Sequence, residues 1–233
     1  MTVIDTATPG TYEQVAVDTY RDIHKGIRAD LFALTLAAGR VDPSAPADIA
    51  SVAAHLDTTA ALLEVHADHE ETHLGPAIAV HVPDLAATIE RDHATFDGRV
   101  EALQGWARSA IEAPAGQARV EMQRLYVELA SFTSAYLAHQ DLEERVVNPT
   151  LERLIGPEGM LAIHQAIIAS IPPDQMASSL ALMLPAMNND DRTELLGGMQ
   201  AGAPPEVFAG VWSLAGSVLE ARDVAVLARR LAI

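Results

Sequence analysis

His66-Ala-Asp-His-Glu-Glu-Thr-His-Leu-Gly-Pro76 and His139-Gln-Asp-Leu-Glu-Glu-Arg-Val-Val-Asn-Pro149 are two copies of one pattern, H-x-D-x-E-E-x-x-x-x-P. In each copy a His and a Glu stand four residues apart, on one helix face and about one turn from each other. His66 with Glu70, and His139 with Glu143, can therefore each aim an imidazole nitrogen and a carboxylate at one point. A lone His precedes each copy. His24 shares a helical stripe with Tyr20, Ile27 and Leu31, and His93 shares one with Ile89, Phe96 and Val100. The whole constellation reads His, then His-x-x-x-Glu, twice over.

Helical periodicity surrounds these residues. Ile23, Ile27, Leu31 and Leu34 recur at spacings of three and four, the mark of one buried stripe. The pattern predicts a helix from about Tyr12 to Ala38, stopped by Gly39 and by Val41-Asp42-Pro43-Ser44. A second helix is expected over 46–73, with Gly75-Pro76 and Pro83 bracketing a turn. A third is expected over 84–112, ended by Pro114 and Gly116, and a fourth over 117–154, bent near Pro149. Four long helices with short connections predict an all-α, antiparallel up-down four-helix bundle over 12–155. Residues 1–10 read as a flexible lead-in. Beyond Gly156-Pro157 the segments shorten, broken at Pro172-Pro173, Asn188-Asn189-Asp190 and Pro204-Pro205. Residues 157–233 read as a smaller all-helical extension.

The numbering places the candidate ligands at one depth. In antiparallel helices, residues at one level are symmetric about the connecting turn. The midpoint of His24 and His66 is 45, inside the Pro43–Pro46 break. The midpoint of the 66/70 pair and His93 is about 80, and that of His93 and the 139/143 pair is 117. Each falls in or beside a break, which scattered surface histidines have no reason to do.

Composition narrows the function classes. The formal net charge is −17 with 15 Lys and Arg, so there is no basic patch to displace counterions from nucleic acid or to meet an anionic membrane. Cysteine is absent, which excludes disulfides, thiolate zinc sites, iron–sulfur clusters and cysteine nucleophiles. The first ten residues lack the basic and apolar regions of a signal peptide, and no apolar run reaches membrane-spanning length. A cytoplasmic location is expected.

Four imidazoles and two carboxylates suit a borderline metal such as iron, zinc or manganese. Two carboxylates can bridge two metals, and six protein ligands leave positions open on two six-coordinate ions. Structural zinc prefers one closed tetrahedral shell instead. At these residues the chain resembles the hemerythrin-like, or HHE cation-binding, family, over roughly residues 12–155. The resemblance implies a non-haem di-iron centre: two iron ions with an oxo or hydroxo bridge, which bind oxygen, peroxide or nitric oxide. The metal ligands are then His24, His66, Glu70, His93, His139 and Glu143. Oxygen-carrying hemerythrins place a further His one turn after the third-helix ligand, where this chain has Asp97.

Other readings attach to the same residues. A di-iron enzyme that consumes peroxide or reduces a nitrogen oxide is one alternative, and a metal-stabilised interaction module is another. The sequence does not identify a protein partner. His69 and His73 form a competing His-x-x-x-His, and Glu70-x-x-His73 with Glu90-x-x-His93 offers a ferritin-like alternative. His55, His81 and His164 read as solvent-facing or satisfied. Glu71 and Glu144 read as exposed or as supporting the ligands. Tyr20 and Tyr136, one turn before His24 and His139, read as packing residues able to hydrogen-bond a metal-bound species. Asp97 is expected to face the core level of the metals, with an ion pair to Arg28 favoured over ligation; the alternative is that both residues sit at the edge of the stripe and reach solvent.

Overall fold

The computed structural model describes residues 11–114 and 116–233, and among these it is all helical with no strand. The expected lead-in at 1–10 lies outside the described residues. Contacts divide the chain into two units. One holds the described residues up to Thr19 together with Asp30–Ile167, and the other holds Tyr20–Ala29 together with Ile168–Ile233. Helix α1 (Arg21–Arg40) contributes residues to both.

In the first unit, α4 (Pro83–Glu112) packs along α2 (Pro46–His69) and α5 (Ala118–Leu142), and the short α3 (Gly75–His81) folds onto α4. Pro46 and Pro83 open their helices, where the missing N–H has no helical partner to lose. The buried positions keep helical spacing: Val52, Leu56 and Leu63 on α2, Leu85, Ile89 and Phe96 on α4, and Leu125, Leu129 and Phe132 on α5. His66, His93 and His139 continue these three apolar stripes, so the packing that forms the core also buries the imidazoles.

Helices two and four differ from the straight elements that periodicity predicts. A π-helical turn, Glu70–Leu74, joins α2 to α3, and a second one, Glu143–Val147, joins α5 to α6 (Asn148–Ser170). The Gly75 N–H bonds the Glu70 carbonyl, and the Asn148 N–H bonds the Glu143 carbonyl, each five residues back. Pro76 and Pro149 come next. A proline has no N–H to give and its ring collides with the carbonyl four residues behind, so a widened turn relieves both problems. The expected turn at 75–82 is thus helical up to His81, and the backbone breaks at Val82 (φ −144°, ψ 65°). Helix α6 leaves helical geometry at Gly156 (φ 73°), where a side chain would be strained, and resumes to Ser170.

Helix one also begins later than expected, at Arg21 rather than near Tyr12. Backbone groups ahead of it find side-chain partners instead. Ala16 and Val17 donate N–H to the Glu152 carboxylate at 2.8–3.0 Å, and Asn148 Nδ2 donates to the Val17 carbonyl at 3.1 Å.

The second unit contains α7 (Pro173–Ala186), α8 (Asn189–Gly202), α9 (Pro205–Val218) and α10 (Ala221–Leu231), with α7 on α9 and α8 on α10. Leu180, Leu184, Leu196, Ala215 and Leu227 form its core, and Ile23 of α1 packs against it. Asn188 caps α8 by accepting from the Asp190 and Asp191 N–H groups. Buried Arg192 donates to the Leu184 carbonyl and to Asp223. The His24-bearing turn is held here too. Lys25 pairs with Asp191, Arg21 pairs with Glu194 at 3.2 Å, and a Cβ on Gly26 would meet the Leu182 side chain at 3.0 Å. Among the described residues no single helix is long and apolar enough to cross a membrane.

Candidate metal centre

The two π turns begin at Glu70 and Glu143, the carboxylates of the two repeats. Each stands one turn after its His on the preceding regular helix. His66 Nε2 lies 3.2 Å from Glu70 Oε1, and His139 Nε2 lies 3.0 Å from Glu143 Oε1. His93 comes in from α4, its Nε2 3.4 Å from Glu70 Oε2 and 3.2 Å from His139 Nε2. All five side chains are buried.

These donors fall into two overlapping groups. Glu70, His93, His139 and Glu143 each offer a ligand atom, all within 4.8 Å of one another, and His66, Glu70 and Glu143 do the same. Both groups contain Glu70 and Glu143. Donors about 2.1 Å from one ion, at octahedral to tetrahedral angles, stand about 3.0–3.4 Å apart. The four closest separations above lie in that range and the other donor pairs stay within 4.8 Å, so the residues present fit a metal ion. Placing two carboxylates in an apolar core is otherwise costly.

The imidazoles are held from behind. The far nitrogen of His93, Nδ1, lies 3.0 Å from Glu71 Oε1, and Nδ1 of His139 lies 3.3 Å from Asp92 Oδ2. In each case a carboxylate next to one donor reaches across to orient a donor on the neighbouring helix. Such a partner fixes the tautomer, leaving Nε2 for the metal. Phe96 and Tyr136 pack on His139 with ring centroids 5.2 and 5.9 Å away.

The local field is strongly negative. Burial works against a charge on His139, but the Glu143 carboxylate and hydrogen bonds to Asp92 and Glu143 outweigh it and raise its pKa to about 10. The His93 pKa is also raised, because hydrogen bonds to Glu70 and Glu71 and the Glu70 charge overcome its burial. Tyr136 moves well above its ordinary range, through burial first and then the charges of Glu70, Glu143 and Asp97. It stays a protonated donor.

The remaining candidates occupy different surroundings. His24 is wholly buried on α1, in the unit that holds residues 168–233, with its ring 5.0 Å from Tyr20. His69 and His73 belong to neither donor group among the described residues. Glu90 is exposed, which removes the ferritin-like arrangement. His55 Nε2 meets Asp30 at 2.8 Å, as a satisfied histidine should. Asp97 corrects an expectation. It is exposed rather than core-facing and forms no ion pair among the described residues. Four residues advance a helix by 40° beyond a full turn, which carries position 97 from the His93 stripe to its edge. Asp92 was not singled out by the sequence; the signal was an acid beside a ligand, at a place that faces the next helix.

A family model for the Hemerythrin HHE cation binding domain matches residues 15–151. The chain belongs to the hemerythrin HHE cation-binding family. The matched span carries both repeats and both π turns of this hemerythrin-like domain. No curated protein and no solved structure shows significant similarity to the chain.

Proposed function

We propose that this hemerythrin-like chain is a non-haem di-iron protein that binds or senses a small molecule: oxygen, peroxide or nitric oxide. The observation that carries the reading is the sharing of Glu70 and Glu143 by two donor groups, as two bridging carboxylates require. His93 and His139 complete one group. His66 belongs to the other, and the sequence repeat assigns His24 as its further ligand. When bound, iron supplies a redox-active Lewis acid with positions open to an exogenous ligand. Glu71 and Asp92 orient the imidazoles, Phe96 keeps water from His139, and Tyr136 offers a hydroxyl proton. A cytoplasmic location and the absence of a nucleic-acid or membrane partner belong to the same reading.

Metal analysis of the chain reconstituted with ferrous iron tests it. About two irons per chain and oxo-iron charge-transfer absorption in air are expected, both lost in Glu143→Ala. Less than one iron per chain would overturn the reading.

A second reading, peroxide turnover at the same site, draws on Asp97. The side chain one turn after His93 is exposed, so no fifth imidazole occupies the position that oxygen carriers use. Hydrogen peroxide consumption that vanishes in His66→Ala would support it, whereas stoichiometric binding without turnover would favour sensing.

A further inference from the structure

A cavity of about 460 Å³ opens between α2 and α4 in the first unit. Its walls carry Asp57, Glu64, Asp68, Glu71, Asp97 and Glu101, and no Lys or Arg lines it. Two of these carboxylates are engaged: Asp57 accepts from Gln104 at 2.8 Å, and Glu71 holds His93. Glu64, Asp97 and Glu101 form no ion pair among the described residues, so their charge is not cancelled locally. His93 and Tyr136, both buried, also line the cavity. Tyr136 is only 4% exposed, yet its hydroxyl has no hydrogen-bond partner among the described residues. The hydroxyl itself is not sealed off from the cavity, so it can donate to whatever occupies that space.

We propose that this cavity is the passage from solvent to the metal centre, and that its acidic walls admit uncharged and cationic small molecules while holding back anions. The inference rests on the di-iron reading for what lies at its end, but not for its charge selectivity. Like-signed charges with low-dielectric walls focus the field and change the local concentration of ions, with effects on entry rates of about tenfold to a thousandfold. An uncharged acceptor such as hydrogen peroxide or dioxygen passes without that penalty and finds the Tyr136 O–H in the lining. An anion such as azide or nitrite meets repulsion along the whole path.

The chain has no cysteine, so one introduced thiol reports alone. Ala67→Cys places it on the cavity wall, and Ala60→Cys gives a second position on the same wall. Val120→Cys, at a site 66% exposed on α5, is the reference for the charge of the molecule as a whole. The probes are methanethiosulfonate reagents carrying a trimethylammonium, a sulfonate or no charge, applied to the full metal-free chain after its helical content is checked by circular dichroism. In Ala67→Cys or Ala60→Cys the cationic-to-anionic rate ratio should exceed that of Val120→Cys by about tenfold or more at low salt. It should fall toward the reference in 1 M salt and when Asp97→Asn and Glu101→Gln are added. Ratios equal to the reference at both positions, or no reaction with the uncharged reagent at either, would overturn the proposal. Because labelling needs no iron, a chain that failed to bind iron would still give a readable result here.

Discussion

At the residue scale, His139 sets a pH dependence with a definite sign. An unfolded histidine titrates near 6.5, whereas folded His139 keeps its proton to about 10. The metal-free fold therefore binds that proton more tightly than the unfolded chain does. The stability it contributes is fully present below about pH 6.5 and is lost as pH rises through about 10. Thermal melts of the metal-free chain should show a falling midpoint over this window, and His139→Gln should flatten the fall. A midpoint independent of pH in the unsubstituted chain would contradict the assignment. Ligation needs the neutral ring, so metal uptake should also release protons and tighten with pH. Asp92→Asn leaves a hydrogen-bonding group behind His139 but removes its charge. We expect metal affinity to fall about 10–100-fold in a competition titration, with little change in helical content. An unchanged affinity would reduce Asp92 to a bystander. The repeat made His66, Glu70, His139 and Glu143 legible as converging donors, because a spacing of four is a statement about one helix face. Asp92 was not legible in the same way, since its partner lies on another helix. Asp97 was misread because a spacing of four from His93 was taken to mean burial, whereas the buried stripe runs on through Phe96 and leaves position 97 at its edge.

At the scale of the element, the two π turns are the feature that periodicity alone cannot express. The trailing Pro76 and Pro149 were visible as part of the motif, and a bend near Pro149 was expected. What the sequence did not convey is that each widened turn starts at the carboxylate of its repeat. A π turn amounts to one residue inserted into an α-helix, and such turns cluster at functional sites. Deleting Thr72, an exposed residue inside the first turn, should restore regular geometry while leaving the flanking helices in register. The metal-free variant should stay helical but melt lower than the parent, because Pro76 then sits in a regular helix, and its metal affinity should drop by at least about tenfold, since Glu70 no longer meets both donor groups. Calorimetric titration with a divalent metal measures this. Undiminished affinity would mean that the turn serves the chain path and not the site.

At the scale of the whole molecule, the metal and the fold are linked. An ion that binds only the folded chain adds RT ln(1 + [L]/Kd), about 2.7 kcal/mol at a hundred times Kd. For a chain of this size that corresponds to a melting shift of roughly 5–10 °C. The chelated protein should keep its helical circular dichroism and melt lower by that amount; an unchanged midpoint would mean a weak or empty site in solution. The breaks of the C-terminal region were readable from its prolines and Asn188, which open α7, α8 and α9. Its grouping with the His24-bearing turn was not, because Lys25–Asp191 and the close approach at Gly26 join residues more than 150 positions apart. Diffraction from crystals of the iron-loaded chain, with anomalous scattering measured at the iron edge, tests the central claim most directly. The account predicts two anomalous peaks per chain, with Glu70 and Glu143 each reaching both ions. One peak, or two peaks with neither carboxylate shared, would contradict it.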